Sequence, residues 1–350
     1  MKIEESSFGT LPGGDPVRLF TLRNSVGSCA RITNYGGILV SLEMPDRDAR
    51  MADVVLGKDQ LEDYLAGHPH FGAITGRVAG RIGGGRFTLE GRSFELVQNN
   101  QTNCLHGGLE GFDKMLWEAS VVGPEEAPRL QLKLNDPDGH NNFPGNVSCM
   151  VTYELLDTNA LKVSYEATTD RATPLNLTNH SYFNLDGHDA GDVLSHQVQI
   201  LADRVGAVDE ASTLNGRMDP VIAGYNDYRE PVTLADREQL EVGNADIYFA
   251  HPEGRTPEPK RVASAYSPRS GRTLDVLTTE PGVQFYAGLT LSEDGPERGK
   301  GGSTYPALSG LCLETQGYAD SVNYPEVGDA ILRPDEVFRS TTIYQFGVRD

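Results

Sequence analysis

The chain has 350 residues, with 50 Asp or Glu against 30 Lys or Arg, so its formal charge at pH 7 is −20. This acidic balance argues against nucleic acid or an anionic membrane as partner, because both attract clustered positive charge. The length is sufficient to bury a sizeable core without disulfide or metal cross-links.

The four cysteines are scattered along the chain and lack the close spacing of a metal site or a disulfide framework. Such spacing predicts buried free thiols in a reducing compartment. The first residues contain no apolar signal segment, and no long apolar span follows them. We therefore expect a cytoplasmic protein.

In chain order, short alternating runs separated by glycine and proline dominate the predicted elements. A short helix is predicted at residues 59–64, and a hairpin at 87–89 and 94–96. Residues 130–134 alternate as a strand does, and 147–155 with 161–167 predict a second hairpin. A second short helix is predicted at 234–242. The pattern indicates an all-β protein with an antiparallel sheet, few short helices and one domain over residues 1–350.

Residues 173–185 (TPLNLTNHSYFNL) place His180 among amides and hydroxyls. Apolar residues alternate with these polar groups, which predicts a strand with one packed face and one hydrogen-bonding face. Such a polar face suits a sugar, because sugar hydroxyls both donate and accept. In the alternative interpretation His180 is a satisfied core histidine in an Asn-rich turn. This run by itself leaves both open.

Three further clusters carry candidate ligand-binding groups. Residues 76–82 (GRVAGRI) present Arg77 and Arg81 close to tight backbone, although a bulged hairpin with solvated arginines fits equally. His106 precedes two glycines in 103–108 (NCLHGG), which uncovers its ring for a ligand or only marks a turn. Asp246 lies at a loop-to-strand junction in 243–249 (GNADIYF), where aspartates are usually turn residues.

Residues 311–316 (LCLETQ) place Glu314 in an otherwise apolar strand. A carboxylate among buried residues costs free energy unless it is paired, hydrogen-bonded or functional. Burial also raises the pKa of a carboxyl toward values useful for a general base. For Glu314 the functional interpretation is therefore favoured.

Taken together and in this order, these clusters resemble the aldose 1-epimerase family, the galactose mutarotases. Further matching pieces are residues 143–146 (FPGN), 45–48 with 52–57 near the start, and 331–334 with 344–346 near the end. The resemblance covers nearly the whole chain. It implies a large antiparallel β-sandwich of the galactose mutarotase-like supersandwich type. The implied reaction is interconversion of the α and β anomers of free aldohexoses such as D-galactose and D-glucose, with no cofactor and no metal.

The resemblance also implies roles for individual residues. Glu314 resembles the general base that removes the proton of the C1 hydroxyl, and His180 resembles the general acid that protonates the ring oxygen. His106, Arg81 and Asp246 resemble the residues that bind sugar hydroxyls and orient the other two. Since the ordinary pKa of histidine is ~6.5, His180 is expected to be partly protonated, with Glu314 and Asp246 favouring its cation.

Two departures from the family pattern bear on substrate preference: Gly80 replaces a frequent Asn, and Ile247 replaces a common His. Two alternative functions remain, a hexose-6-phosphate 1-epimerase and a non-catalytic sugar-binding or sugar-sensing module. The first would need additional arginines at the site, and the second should have lost the acid or the base. The expected partner is a small-molecule aldose, and the chain is either a monomer or a homodimer.

Overall fold

The computed structural model describes residues 2–237, 240, 246–292 and 297–350. In the first half of the chain the strands are β1 (Lys2–Thr10), β2 (Pro16–Arg23), β3 (Cys29–Thr33), β4 (Leu39–Pro45), β5 (Met51–Asp53), β6 (Ile74–Thr75), β7 (Arg81–Ile82), β8 (Arg86–Leu89), β9 (Arg92–Glu95), β10 (Cys104–Leu105), β11 (Glu118–Val122), β12 (Arg129–Asp136), β13 (Val147–Leu155), β14 (Ala160–Thr169) and β15 (Thr173–Pro174).

In the second half they are β16 (Thr178–Asn179), β17 (Tyr182–Phe183), β18 (Gln197–Ile200), β19 (Arg204–Val208), β20 (Leu214–Pro220), β21 (Val232–Thr233), β22 (Asp246–Ala250), β23 (Lys260–Tyr266), β24 (Arg272–Thr278), β25 (Gly282–Tyr286), β26 (Glu297–Arg298), β27 (Thr304–Tyr305), β28 (Leu311–Gln316), β29 (Ile331–Leu332) and β30 (Phe338–Val348). The helical elements are α1 (Leu61–Leu65) and six 3₁₀ turns, namely Gly83–Gly85, Phe112–Lys114, His140–Asn142, Leu234–Asp236, Leu289–Ser292 and Lys300–Gly302.

Three sheets contain most of these strands. A five-stranded sheet runs β1-β2-β3-β4-β5, a nine-stranded sheet runs β11-β12-β13-β14-β30-β24-β23-β18-β21, and a six-stranded sheet runs β17-β28-β25-β22-β19-β20. Neighbouring strands in all three pair antiparallel. One apolar core contains inward-facing residues of each sheet, such as Leu22, Val163 and Phe285. The prediction of a large antiparallel β-sandwich is therefore confirmed.

Alternation along β13 and β14 shows why the sequence folds into this arrangement. In β13 the residues at every second position are buried and the intervening ones only partly so. Its partner β14 pairs with it over nine residues, from Val147 opposite Thr169 to Leu155 opposite Leu161. Burying one face of each strand requires this period of two, so the predicted hairpin is confirmed. The hairpin predicted around residue 91 is likewise found as β8 and β9.

The first predicted helix is confirmed and the second is not. Helix α1 lies at Leu61–Leu65, displaced slightly from the predicted 59–64. The second prediction, 234–242, begins as a 3₁₀ turn at Leu234–Asp236. Residues 238, 239, 241 and 242 lie outside the described residues, so the rest of that prediction is untested.

The predicted strand at 173–185 is wrong in its organisation. The run forms three two-residue strands, β15, β16 and β17, which pair with β29, β6 and β28 respectively. Nearly every residue from 172 to 185 is buried, so the run has no solvent-facing polar side. The three asparagine side chains of the run are satisfied internally, because the amides of Asn176, Asn179 and Asn184 donate to backbone carbonyl groups. These amides therefore fix the chain path and do not face a ligand.

Arg77 is buried, which rules out the interpretation that both arginines of the 76–82 cluster are solvated. Its guanidinium donates to Asp136 Oδ2 from Nε at 2.7 Å and from Nη2 at 2.5 Å. It also donates to the carbonyl oxygens of Pro144 and Gly145. Arg77 thus ties the loop at 143–146 to the segment between β6 and β7, and only Arg81 remains for the site.

The four cysteines are free and buried, as predicted. Across the described part of the chain, no helix combines the length and the apolar character needed to cross a bilayer. The assignment of residues 1–350 to one domain stays a prediction, and the core shared by the three sheets agrees with it.

Candidate active site

Strand β28 decides which side chains enter the site. All six of its residues are buried, because both faces of the strand are covered. Leu311 and Leu313 face the common core. Glu314 and Gln316 therefore face the opposite way, since successive side chains in a strand alternate. There they line a cavity of about 500 Å³.

The neighbouring strands contribute to the same face through their register. Glu314 lies opposite Gln284 of β25, which in turn lies opposite Tyr248 of β22. Two pairs further along, Tyr286 lies opposite Asp246. All of these residues line the cavity. The cross-strand pairing therefore collects polar groups from segments that are far apart in sequence onto one concave surface.

All five residues singled out from the sequence line this one cavity: Arg81, His106, His180, Asp246 and Glu314. Arg81 and His106 arrive together because β7 pairs with β10, which places Arg81 opposite Leu105. His180 lies between β16 and β17. Its backbone is fixed on both sides, since it donates to the Ala73 carbonyl and accepts from the Gly72 amide.

His180 and Glu314 face each other at the cavity floor. His180 Nε2 and Glu314 Oε1 lie 3.6 Å apart, and both side chains are almost completely buried. The other ring nitrogen, Nδ1, lies 3.6 Å from Cys312 Sγ. Burial raises the pKa of the Cys312 thiol, so the thiol stays protonated and its sulfur is a weak acceptor for Nδ1–H. A neutral His180 ring that directs Nδ1–H at this sulfur leaves Nε2 free to share the proton of Glu314.

Burial decides where the proton of this pair rests in the free site. It raises the pKa of Glu314 well above its ordinary range, with a further rise from the Asp246 charge and an opposing effect from Arg81. It lowers the pKa of His180 to about 3, assisted by His70. The expectation that Glu314 and Asp246 favour a His180 cation is therefore wrong. Desolvation outweighs those charges, and a protonated Glu314 contributes no negative charge.

His106 is held as a neutral donor. Its Nδ1 accepts from the Gly80 backbone N–H at 3.1 Å, and its own backbone N–H donates to the Gly80 carbonyl. Burial lowers the pKa of the ring well below its ordinary value, so Nε2–H is the group left for a ligand. The ring is buried, not uncovered as the sequence suggested. Gly107 is needed for close backbone packing and not to expose the His106 ring, because a Cβ there would collide with the carbonyl oxygen of Gly76.

Arg81 and Asp246 form a partly exposed pair at the cavity wall. Arg81 Nη1 donates to Asp246 Oδ2 at 3.2 Å, and Arg81 Nε donates to Asn100 at 3.0 Å. Gln284 Nε2 donates to the other carboxylate oxygen of Asp246 at 2.5 Å. Asp246 begins β22, while residues 243–245 of the predicted loop-to-strand junction lie outside the described residues. The carboxylate is thus oriented from two sides, with lone pairs left for hydroxyl donors.

Comparison with known proteins identifies the family of the chain. The aldose 1-epimerase family model matches residues 18–345. The galactose mutarotase of Rattus norvegicus is 42% identical over 350 residues, covering 99% of each chain. The aldose 1-epimerase of Escherichia coli strain K12 is 37% identical over 345 residues, covering 96% of each chain. Among solved structures, the aldose epimerase homologue from C. elegans has a TM-score of 0.86 at 27% identity, and the match covers 95% of this chain and 99% of that one.

The chain belongs to the aldose 1-epimerase family. Its function is accordingly that of a mutarotase, an isomerase that acts on aldose sugars. The match over nearly the whole length also agrees with the collinear order of the sequence motifs.

The two departures from the family pattern have different structural settings. Gly80 adopts a φ of +81°, and a Cβ there would lie 2.5 Å from the Cβ of Ala319, so the backbone leaves no room for a side chain. Ile247 packs into the common core, on the face of β22 opposite to Asp246. Its side chain therefore does not line the cavity of this family member.

Sequence reasoning missed several residues of the cavity: His70, Tyr182, Gln284, Tyr286 and Gln316. His70 is positioned by Asp113, with Nδ1 and Oδ2 3.0 Å apart, and its ring stacks 5.6 Å from that of His180. Gln284 alternates with core residues in β25, a signal that the sequence does contain. Only the pairing of β25 with β28, however, shows that Gln284 lies on the same face of the sheet as Glu314.

Among the described residues, one set of side chains could share a metal ion: His106, His180 and Glu314, with ligand atoms all within 4.8 Å of one another. Two imidazole nitrogens and one carboxylate oxygen are ligands that divalent transition metals accept. The expectation that no metal and no cofactor is needed stays a prediction.

Proposed function

We propose that the protein interconverts the α and β anomers of free aldohexoses such as D-galactose and D-glucose, with Glu314 as general base and His180 as general acid. One observation carries the proposal: Glu314 Oε1 and His180 Nε2 lie 3.6 Å apart in a buried cavity of ligand size. The anomeric hydroxyl and the ring oxygen of a pyranose are bonded to the same carbon. Two groups at this separation can therefore contact both oxygens at once.

The reaction needs two coordinated proton transfers. The carboxylate of Glu314 takes the proton of the C1 hydroxyl while the imidazolium of His180 donates its Nε2 proton to the ring oxygen, and the bond between C1 and the ring oxygen breaks. The resulting aldehyde rotates about the C1–C2 bond and presents its other face. Reclosure reverses both transfers, so each group returns to its starting state and no cofactor is consumed.

The pair holds one proton throughout this cycle. In the free site the raised pKa of Glu314 and the lowered pKa of His180 place that proton on the carboxyl. This is the distribution that ring opening leaves behind. A bound sugar shifts it, because the C1 hydroxyl donates to the carboxylate and so favours its charged form. We assign His106 Nε2–H, Arg81 and Asp246 to the remaining sugar hydroxyls.

The two alternative functions fit the site less well. A phosphorylated hexose would need permanent positive charge, yet Arg81 is the one Lys or Arg among the described residues that line the cavity, and it is already paired with Asp246. A non-catalytic sugar-binding module would have no need for an acid and a base within contact distance. Catalysis on a neutral sugar is therefore the proposal.

The direct test of the function is the optical rotation of freshly dissolved α-D-galactose and α-D-glucose. We expect catalytic amounts of protein to bring both solutions to their equilibrium rotation well before buffer alone does. α-D-Glucose 6-phosphate, assayed in parallel, measures the phosphosugar alternative and should respond less. Relaxation no faster than buffer for every aldose tried would contradict the assignment.

The pH profile tests the pairing of the two groups. Since the active pair carries one proton, kcat/KM should fall at high pH, when the pair loses that proton with the raised pKa of Glu314. Asp246→Asn removes a charge that opposes this loss, so the alkaline limb should move to lower pH. Arg81→Met removes a charge that favours it, so the limb should move to higher pH.

These shifts are measured as the apparent upper pKa of log(kcat/KM) against pH in the two variants. Both variants should also weaken sugar binding, but a loss of binding alone lowers the whole curve without moving its limb. If the alkaline limb moves in the same direction in both variants, or moves in neither, Glu314 does not set the pH profile.

A further inference from the structure

The carboxamide of Gln316 is an unsatisfied polar group at the cavity wall. Among the described residues, neither its oxygen nor its nitrogen has a hydrogen-bond partner, and the side chain is only 1% exposed. A buried amide without partners costs free energy that a paired amide does not. A ligand in the cavity that supplies both a donor and an acceptor would remove this cost.

The surroundings of Gln316 give the amide no protein partner at the cavity wall. Its cross-strand neighbour in β25 is Gly282, which has no side chain to pair with it. On another side is Gly80, where a Cβ would lie 3.5 Å from Gln316 Nε2. The hydroxyl of Tyr248 does not satisfy the amide either, because it donates to the main-chain oxygen of Gln316 at 3.4 Å.

We propose that Gln316 binds a sugar hydroxyl on the side of the ring remote from the anomeric carbon, at C3 or C4. Gln316 follows Glu314 by two residues on the same face of β28, so their Cα atoms are displaced by about 7 Å along the strand. With C1 held between Glu314 and His180, the Gln316 amide at that displacement lies beside the ring carbons that are remote from C1.

The chemistry of the group matches such a hydroxyl. A hydroxyl accepts from the amide nitrogen and donates to the amide oxygen, so one or two sugar hydroxyls can satisfy both orphan atoms. The amide is neutral, which suits a neutral hydroxyl better than an anionic substituent. This inference rests on the proposed function, since it assumes that a sugar occupies the cavity with C1 at Glu314.

The test combines Gln316→Leu with a series of deoxy sugars. We expect kcat/KM of the variant for D-galactose to fall roughly three- to tenfold, as for one lost neutral hydrogen bond. The unaltered protein should lose a similar factor with the 3-deoxy or the 4-deoxy sugar. Gln316→Leu should lose nothing further with that same analogue, because the partner is already absent. The 2-deoxy and 6-deoxy sugars should cost both proteins equally.

A matched control separates binding from packing. Thr178→Val removes another buried, unpaired oxygen, in β16 and away from the cavity lining. It should leave the rates with all deoxy sugars unchanged. Gln316→Leu and Thr178→Val should each keep or raise the melting temperature, because each removes buried polar atoms that have no hydrogen-bond partner. Gln316→Asn, which retains an amide but withdraws it by one methylene, should be impaired like Gln316→Leu.

The outcomes separate this inference from the proposed function. If the unaltered protein does not accelerate anomer exchange, the proposed function is wrong. If it does, and Gln316→Leu shows the same deoxy-sugar profile as the unaltered protein, the inference alone is wrong. An interaction found only with the 2-deoxy or the 6-deoxy sugar would also overturn it.

Discussion

Glu314→Gln is expected to lower the catalysed rate of anomer exchange by ~10²–10⁴-fold, the range for loss of a positioned general base. The substitution keeps the shape of the side chain but removes its ability to take the proton of the C1 hydroxyl. The measurement is the polarimetric rate with α-D-galactose, corrected for the rate in buffer. Retention of more than a tenth of the rate would exclude Glu314 as the base.

The fold should survive this change, and the sign of the stability effect can be worked out. Because the folded pKa of Glu314 is raised, the folded chain binds a proton that the unfolded chain has already lost above its ordinary pKa. Stability therefore falls as pH rises through the window between these two pKa values. Glutamine does not titrate, so at neutral pH the melting temperature should be equal or higher. An inactive variant that is at least as stable cannot be inactive through unfolding.

Glu280→Gln is the matched control, since Glu280 is also buried but lies outside the cavity lining. Its carboxylate accepts from both terminal nitrogens of Arg255, at 2.9 and 2.7 Å. Burial raises the pKa of Glu280 as well, although Arg255 opposes the rise, so the control removes a buried glutamate of the same kind away from the site. The rate per folded molecule should remain unchanged in Glu280→Gln, whereas Glu314→Gln should lose its rate.

His180→Asn is the second substitution with a large expected effect, again a rate loss of ~10²–10⁴-fold. Asparagine cannot protonate the ring oxygen, whereas the backbone hydrogen bonds to Gly72 and Ala73 do not depend on the ring. Combining it with Glu314→Gln should cost little more than either change alone, because both residues serve one proton exchange. Rate losses that multiply in the double variant would contradict their action as a pair.

His196→Asn provides the corresponding control for a buried histidine. The ring of His196 is fully buried, and its Nε2 accepts from the backbone N–H of Leu185 at 3.0 Å. Its loss leaves that donor unpaired, which costs about 1–3 kcal/mol of folding free energy. The rate per folded molecule should not change. His196 is thus a core histidine with a structural hydrogen bond through Nε2, although its Nδ1 has no partner among the described residues.

The sequence by itself determined the features that depend on local periodicity. Alternation identified the hairpin of β13 and β14 and the all-β class, because burying one face of a strand requires a period of two. It also singled out Glu314, since a carboxylate directly after Leu311, Cys312 and Leu313 is anomalous on its own strand. The motif order then placed the chain in the aldose 1-epimerase family.

Only the tertiary structure decided which groups meet and in what protonation state. Gln284 enters the cavity through the register of β25 with β28, which no local pattern specifies. The amides of 173–185 proved structural because their partners are backbone groups of distant segments. The proton rests on Glu314, not on His180, because burial by remote chain segments outweighs the nearby charges. Register and desolvation are properties of the assembled fold, and they are therefore not legible from the order of residues along the chain.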